Sequence, residues 1–196
     1  MKGTVRIISG TLRGKVIPFL NSRYGDADIT SQKVKGALFS MLGEHLNGKV
    51  FVDLFSGSGQ IGVEALSRGA DLVVFNESDR SRFRFIKDFA DAIRTENNSI
   101  ILNMMAEDAL KYISARGIKA DIIFVDPPYE KVKGTAYSYS SIIEIIGETG
   151  VSEKDGIIVI QHFTSNILPE RCSVFTRSSI KKYGTTSISL YAKADN

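Results

Sequence analysis

The chain has 196 residues, of which 43% are hydrophobic and 24% charged. This composition is typical of a globular protein with one well-buried core, and it excludes a disordered or fibrous chain. The net charge is +3, and the single cysteine, Cys172, excludes an internal disulfide. The histidines and this cysteine form no set of metal ligands, and neither a membrane span nor a signal peptide is visible. We therefore expect a monomer in a reducing cytoplasm, without a membrane partner or a metal.

The N-terminal segment is the basic part of the chain. Residues 1–36 contain seven basic and two acidic side chains, a net charge of +5 that leaves −2 for the remainder. Two short apolar runs that flank "GTLRG" predict a β-hairpin over residues 4–19, followed by a polar loop. We therefore divide the chain into a basic extension, residues 1–28, and a main domain, residues 29–196. This charge distribution suits a protein that holds a polyanion at one edge, and a solvated basic hairpin explains it equally well.

The apolar spacing becomes helical from Thr30, which predicts a helix over residues 30–46 with Thr30 or Ser31 as its N-cap. Beyond Gly48, apolar strands alternate with helices, which is the order of βαβ units in a parallel sheet. The strands are expected at 49–55, 71–77, 99–105, 121–126 and 156–162, and the helices at 60–70, 80–97, 106–117 and 139–150. The tail, residues 172–193, predicts two strands paired antiparallel at one edge. The sequence thus predicts an α/β fold with a doubly wound, mostly parallel, seven-stranded sheet.

A glycine-rich loop joins the first of these strands to its helix. Gly57, Gly59 and Gly62 match G-x-G-x-x-G in the strand-to-helix context that the motif requires. Glycines there let the backbone turn tightly and approach a ligand that contains a nucleoside. Glu77 follows Gly57 at the spacing of about 20 residues that is typical of an acid that hydrogen-bonds ribose hydroxyls. The alternative is an incidental acid at a strand end.

Asp53 distinguishes between two ligands for this loop. A carboxylate four residues before Gly57 would repel the pyrophosphate of a dinucleotide, whereas it would attract the sulfonium and ammonium groups of S-adenosylmethionine. At about 4 Å this attraction is worth ~1 kcal/mol in water and several times more when desolvated. The sequence therefore favours S-adenosylmethionine, although Asp53 could instead cap the amides of its own loop. Asp108 is placed to accept a hydrogen bond from adenine, or to serve as an acid at a helix N-terminus.

The fourth strand ends in Asp126, Pro127, Pro128 and Tyr129, a motif that no sheet requires. In a doubly wound sheet Asp53 and Asp126 would open into one crevice. The side chain of Asp126 and the carbonyl of Pro127 could accept both N–H bonds of a nucleobase amine, and the prolines hold the backbone extended. Tyr129 could stack on the extruded base, which is worth about 1 to 3 kcal/mol. Positioning would supply most of the catalysis, and the alternative is a rigid turn with a packed tyrosine.

With these motifs the sequence resembles the bacterial methyltransferases that act on the N2 amine of a guanine in small-subunit ribosomal RNA, a family with the Rossmann-like class I fold. The resemblance is carried by "RIISGTLRGKVI", "KVKGALFSML", "VDLFSGSGQIGVEALSRGA", "DPPY" and "YGTTSISLY". It implies ribosomal RNA or an assembling small subunit as the substrate, and S-adenosylmethionine as the cofactor.

The expected site residues fall into three groups. Cofactor contacts are assigned to Asp53, Phe55, Ser56, Gly57, Ser58, Gly59, Glu77 and Asp108. Catalytic roles are assigned to Asp126, Pro127, Pro128 and Tyr129. Contacts with RNA are assigned to Arg6, Arg13, Lys15, Lys33 and Lys35.

Two alternatives remain open, because "DPPY" is shared with adenine-N6 methyltransferases of DNA and RNA. The chain could methylate adenine, or it could bind RNA without turnover. It also departs from the family's pattern: "ITS" replaces an Arg-Pro-Thr run, Asp88 replaces an asparagine, and Gln161 replaces an acid. These changes leave the identity of the target nucleotide open.

Overall fold

The computed structural model describes residues 5–19, 30–95, 97–128 and 139–194. Within them the strands are β1 (Val5–Arg6), β2 (Val16–Ile17), β3 (Val50–Asp53), β4 (Leu72–Asn76), β5 (Ser99–Leu102), β6 (Ala120–Val125), β7 (Ser152–Phe163), β8 (Arg171–Cys172), β9 (Phe175–Tyr183) and β10 (Thr186–Lys193). The helices are α1 (Gln32–Leu42), α2 (Gln60–Ser67), α3 (Arg80–Ala92), α4 (Ala106–Ala115) and α5 (Tyr139–Thr149). No helix among these residues is long and apolar enough to cross a membrane.

The central sheet has the order β5-β4-β3-β6-β7-β10-β9-β8. The strands from β5 to β7 are parallel, and β10, β9 and β8 continue the sheet antiparallel. The predicted fold class is thus confirmed, with one short strand more than expected, because residues 171–172 pair with the start of β9. The strand order reverses between β3 and β6, where Asp53 lies opposite Phe124. A ligand site is expected beyond the carboxyl ends of these two strands.

Side chains alternate between the two faces of the sheet and form two cores. Phe51 and Phe75 belong to the core under α1, α2, α3 and the N-terminal hairpin. Val52 and Val74 belong to the core under α4 and α5. Every residue of α2 is buried, because the sheet covers one side of this helix while the hairpin and α1 cover the other. The hairpin is therefore packed on the helix that follows the glycine loop.

The predicted hairpin forms, with Val5 opposite Ile17. The helix that follows it, α1, begins after the N-cap Ser31, whose hydroxyl accepts from the Val34 amide. This helix is shorter than the predicted 30–46, because Gly43 leaves helical geometry at φ 97° and ends it after Leu42. A φ in this region favours glycine strongly.

A buried charge cluster fixes the hairpin to the domain. The Glu64 carboxylate, fully buried in α2, accepts from the backbone amides of Ile8 at 2.9 Å and Ser9 at 3.0 Å. It also lies 3.2 Å from the ammonium of Lys35 and 3.1 Å from the guanidinium of Arg68. Burial lowers the pKa of Lys35, and the charge of Glu64 opposes this effect. Removal of one partner from such a cluster leaves a buried charge poorly compensated.

Candidate active site

The glycine loop has the geometry that its motif predicts. Gly57 and Gly59 adopt φ of 53° and 73°, a left-handed conformation that a residue with a side chain adopts at a cost. Gly62 serves a different purpose, since a Cβ atom there would lie 2.2 Å from the ring of Phe75. The first two glycines thus shape the turn, and the third allows α2 to pack closely on β4, as in nucleotide-binding loops.

Asp53 ends β3 directly beneath this loop and is only 1% exposed. Its Oδ2 accepts from the Gly62 amide at 3.0 Å, so the capping role considered from the sequence is real. Its Oδ1 is buried with no hydrogen-bond partner among the described residues. Burial, with a smaller contribution from the charge of Glu77, raises the pKa of the Asp53 carboxyl to about 7. An unpartnered buried carboxylate oxygen is costly unless a ligand supplies a donor or a positive charge.

Glu77 follows the last residue of β4 and is 6% exposed. Its Oε2 accepts from the Gly57 amide at 2.8 Å, and its Oε1 accepts from the Asp79 amide and from Arg82 at 2.8 Å and 3.0 Å. The acid that its spacing from Gly57 singles out therefore fixes the glycine loop by a direct hydrogen bond. Each carboxylate oxygen has two lone pairs, so these bonds leave room for a ribose hydroxyl.

One cleft joins the carboxyl ends of β3, β4 and β6 and offers, with its mouth, about 1020 Å³ of empty space. Predicted residues that line it are Asp53, Phe55, Ser56, Gly57, Ser58, Glu77, Asp126, Pro127 and Pro128. Gly59 and Asp108 are not part of the lining; Asp108 is exposed in the first turn of α4. The adenine contact predicted for Asp108 stays a prediction.

At the end of β6, Asp126 is half-buried, Pro127 is buried and Pro128 is exposed. One oxygen of the Asp126 carboxylate, Oδ2, accepts from the side-chain amide of Gln161 at 2.7 Å. The structure thus brings Asp53 and Asp126 to the same cleft from adjacent strands, as predicted from the reversal point of the sheet. Tyr129 lies outside the described residues, so its stacking role stays a prediction.

The basic residues predicted to bind RNA differ in exposure. Arg6, Arg13 and Lys15 on the hairpin and Lys33 on α1 are exposed. Lys35 is fully buried, pairs with Glu64 and donates to the Arg6 carbonyl at 2.7 Å. The prediction that Lys35 contacts RNA is therefore wrong, because its ammonium cannot reach a phosphate. Lys35 instead holds the strand that carries Arg6.

Several cleft residues were not anticipated from the sequence. Arg82 pairs with Glu77 and has a buried Nε without a partner among the described residues. Met104 and Met105 follow β5 and provide an apolar wall. Their position at the carboxyl end of the predicted strand 99–105 was the available signal. Thr30, expected only as a helix cap, also lines the cleft.

Comparisons with known proteins agree with this geometry. The sheet order and the glycine loop define a doubly wound α/β fold, and the similar proteins place the chain among the methyltransferases. The chain belongs to the family described as "Conserved hypothetical protein 95", whose model matches residues 5–192. It is similar to "Putative rRNA methyltransferase YlbH" of Bacillus subtilis, 30% identical over 96% of this chain and 99% of the relative. "Ribosomal RNA small subunit methyltransferase D" of Escherichia coli K12 is 27% identical over 97% of this chain and 91% of its own length.

Among solved structures, "Putative methyltransferase yhhF from Escherichia coli" superposes with a TM-score of 0.79 at 25% identity. The match covers 97% of this chain and 98% of that one. The fold class and the methyltransferase family predicted from the sequence are both confirmed.

Proposed function

We propose that this chain transfers a methyl group from S-adenosylmethionine to the exocyclic N2 amine of a guanine in small-subunit ribosomal RNA. The observation that carries the proposal is the single cleft that Asp53 and Asp126 share with the glycine loop. The names of the two relatives support ribosomal RNA methylation as the activity. The choice of guanine N2 rests on the resemblance of the sequence motifs.

The cleft suits S-adenosylmethionine at both of its ends. The unpartnered Oδ1 of Asp53 would face the cationic methionine portion, because burial makes this oxygen a strong site for a donor or a positive charge. Glu77 would accept from the ribose at the tip of β4, and Met104 and Met105 would cover the adenine ring. The cofactor supplies an electrophilic methyl group on sulfur.

The acceptor amine would lie at the end of β6. Asp126 accepts through its side chain and Pro127 through its carbonyl, so both N–H bonds of the amine are held. Holding them orients the nitrogen lone pair toward the methyl group. An ordinary carboxylate is too weak a base to deprotonate an aryl amine, so the proton leaves after methyl transfer makes the nitrogen cationic. Catalysis then comes mainly from the positions of the two reactants.

RNA would approach over the exposed cations Arg6, Arg13, Lys15 and Lys33. Since the hairpin is fixed to α2 through Glu64, the charges that it carries are held at a constant distance from the cleft. Their attraction to phosphates is independent of sequence and weakens with salt. Base selection is therefore left to the cleft. A cytoplasmic setting and a monomeric state stay predictions.

Transfer of tritiated methyl from S-adenosylmethionine to small-subunit RNA, free or in a partly assembled subunit, tests the proposal. Wild-type protein should label the RNA, and Asp126→Ala should lose most of this activity while retaining cofactor binding. Equal labelling by both proteins would remove Asp126 from the mechanism. RNA binding without label, and without thermal stabilisation by the cofactor, would favour the non-catalytic alternative.

A further inference from the structure

The Asp126 carboxylate belongs to a chain of buried amide and hydroxyl groups. Gln161, near the end of β7 and 3% exposed, donates from Nε2 to Asp126 Oδ2 at 2.7 Å. Its Oε1 accepts from the Thr30 hydroxyl at 3.4 Å. The backbone of Thr30 bonds in turn to the side-chain amide of Gln60. With this amide oriented so that both bonds form, its oxygen accepts from the Thr30 amide at 2.7 Å and its nitrogen donates to the Thr30 carbonyl at 3.2 Å. These hydrogen bonds link Asp126, at the carboxyl end of β6, to Gln60, the first residue of α2.

This series of hydrogen bonds fixes which end of the Gln161 side-chain amide faces the Asp126 carboxylate. A reversed amide would place Oε1 against a carboxylate oxygen, an unfavourable contact between two acceptors. The amide nitrogen therefore faces Asp126, and an amide N–H donates without being able to give up its proton at accessible pH. A donor of this kind favours the ionised form of the carboxylate.

Resting on the proposed function, we propose that Gln161 is a positioning residue: it holds Asp126 as an ionised, correctly turned acceptor for the substrate amine. Through Thr30 and Gln60, the same hydrogen bonds fix the position of Asp126 relative to α2, the helix that follows the glycine loop. The residue that would hold the acceptor amine and the helix behind the glycine loop are thereby connected by one series of hydrogen bonds through Gln161, Thr30 and Gln60. A small change in orientation at this point is expected to lower turnover more than binding.

The isosteric variant Gln161→Glu tests this role, with Gln161→Met as its matched uncharged control. A second carboxyl within hydrogen-bonding distance cannot ionise together with Asp126, so the pair should share a proton. With saturating cofactor, the acidic limb of the kcat profile should move to higher pH by roughly one unit or more. Gln161→Met should lower kcat roughly tenfold to a hundredfold through loss of the charged hydrogen bond, with a smaller shift of the limb.

Other titratable groups lie in or near the same cleft, and they are identical in the wild-type protein and in the two Gln161 variants. Among the described residues, those that line the cleft are Asp53 on β3, Glu77 directly after β4 and Arg82 on α3. Tyr139 on α5 lies close enough to Asp126 for that charge to add to the effect of burial, which raises the pKa of the tyrosine. Because these groups are unchanged, they contribute equally to each pH profile of kcat, and their contributions cancel when the profiles are compared. The KM for S-adenosylmethionine should remain close to the wild-type value in both variants.

A second readout does not depend on catalysis. Unfolding free energy should fall with rising pH more steeply in Gln161→Glu than in Gln161→Met, because a raised folded-state pKa loses its contribution as the pH rises. If wild-type protein transfers methyl and the limb of Gln161→Glu coincides with the wild-type limb, the positioning role is overturned. If no methyl is transferred by wild type but the stability difference appears, the contact is supported and the proposed function fails.

Discussion

Replacement of Asp53 by asparagine should stabilise the ligand-free protein at neutral and alkaline pH. Burial raises the pKa of this carboxyl from 3.8 to about 7, so its ionisation costs the folded state more than the unfolded one. At about 1.36 kcal/mol per pH unit, the rise corresponds to about 4 kcal/mol. Because the folded pKa is the higher one, the favourable contribution of the protonated carboxyl is complete below 3.8 and is lost as the pH rises through about 7.

Asparagine retains an oxygen for the Gly62 amide and carries no charge at any pH. In chemical denaturation, the excess stability of Asp53→Asn over wild type should therefore grow by about 2 to 3 kcal/mol between about pH 5 and about pH 8. Asp88→Asn on the exposed face of α3 is the matched control, and its difference from wild type should be the same at both pH values. A constant difference for Asp53→Asn would refute the reasoning about its burial.

Three further changes test separate parts of the structure. Affinity for S-adenosylmethionine, measured by calorimetry, should fall roughly tenfold per pH unit below about 7, because a bound cation favours ionised Asp53; a flat profile would contradict this. Gly62→Ala should cost about 1 to 3 kcal/mol through overpacking, whereas Gly36→Ala, whose Cβ would have its nearest neighbour at 3.6 Å, should gain up to about 1 kcal/mol. Lys35→Met should lower the free energy of unfolding by about 3 kcal/mol and leave the salt dependence of RNA binding unchanged. Lys33→Met should lower the slope of that salt dependence by about 1, with little loss of stability. The reverse pattern would restore Lys35 as an RNA contact.

Local pattern determined most of what the sequence could predict. The alternation of apolar strands with helices indicated the parallel sheet, and the glycine spacing placed the loop between β3 and α2. The register of parallel strands then brought Asp53 and Asp126 to one edge. Each of these inferences depends on residues close together in the chain, or on a general rule for the ends of parallel strands.

The errors and omissions came from pairings between distant parts of the chain. Lys35 looked like a surface cation because nothing near it in sequence announced Glu64, in another helix, as its buried partner. The contact of Gln161 with Asp126 was missed, because the two residues lie near the ends of neighbouring strands and are 35 residues apart in the chain. Arg82, by contrast, is only five residues from Glu77. Its bond was missed because it depends on the direction in which α3 follows β4.

The identity of the methylated nucleoside tests the central claim most directly. Small-subunit RNA labelled by wild-type protein and by Asp126→Asn should be digested to nucleosides and analysed by mass spectrometry. The proposed geometry predicts N2-methylguanosine from wild type and a large loss of it from the variant, with cofactor affinity retained. N6-methyladenosine as the product, or undiminished N2-methylguanosine from Asp126→Asn, would contradict it.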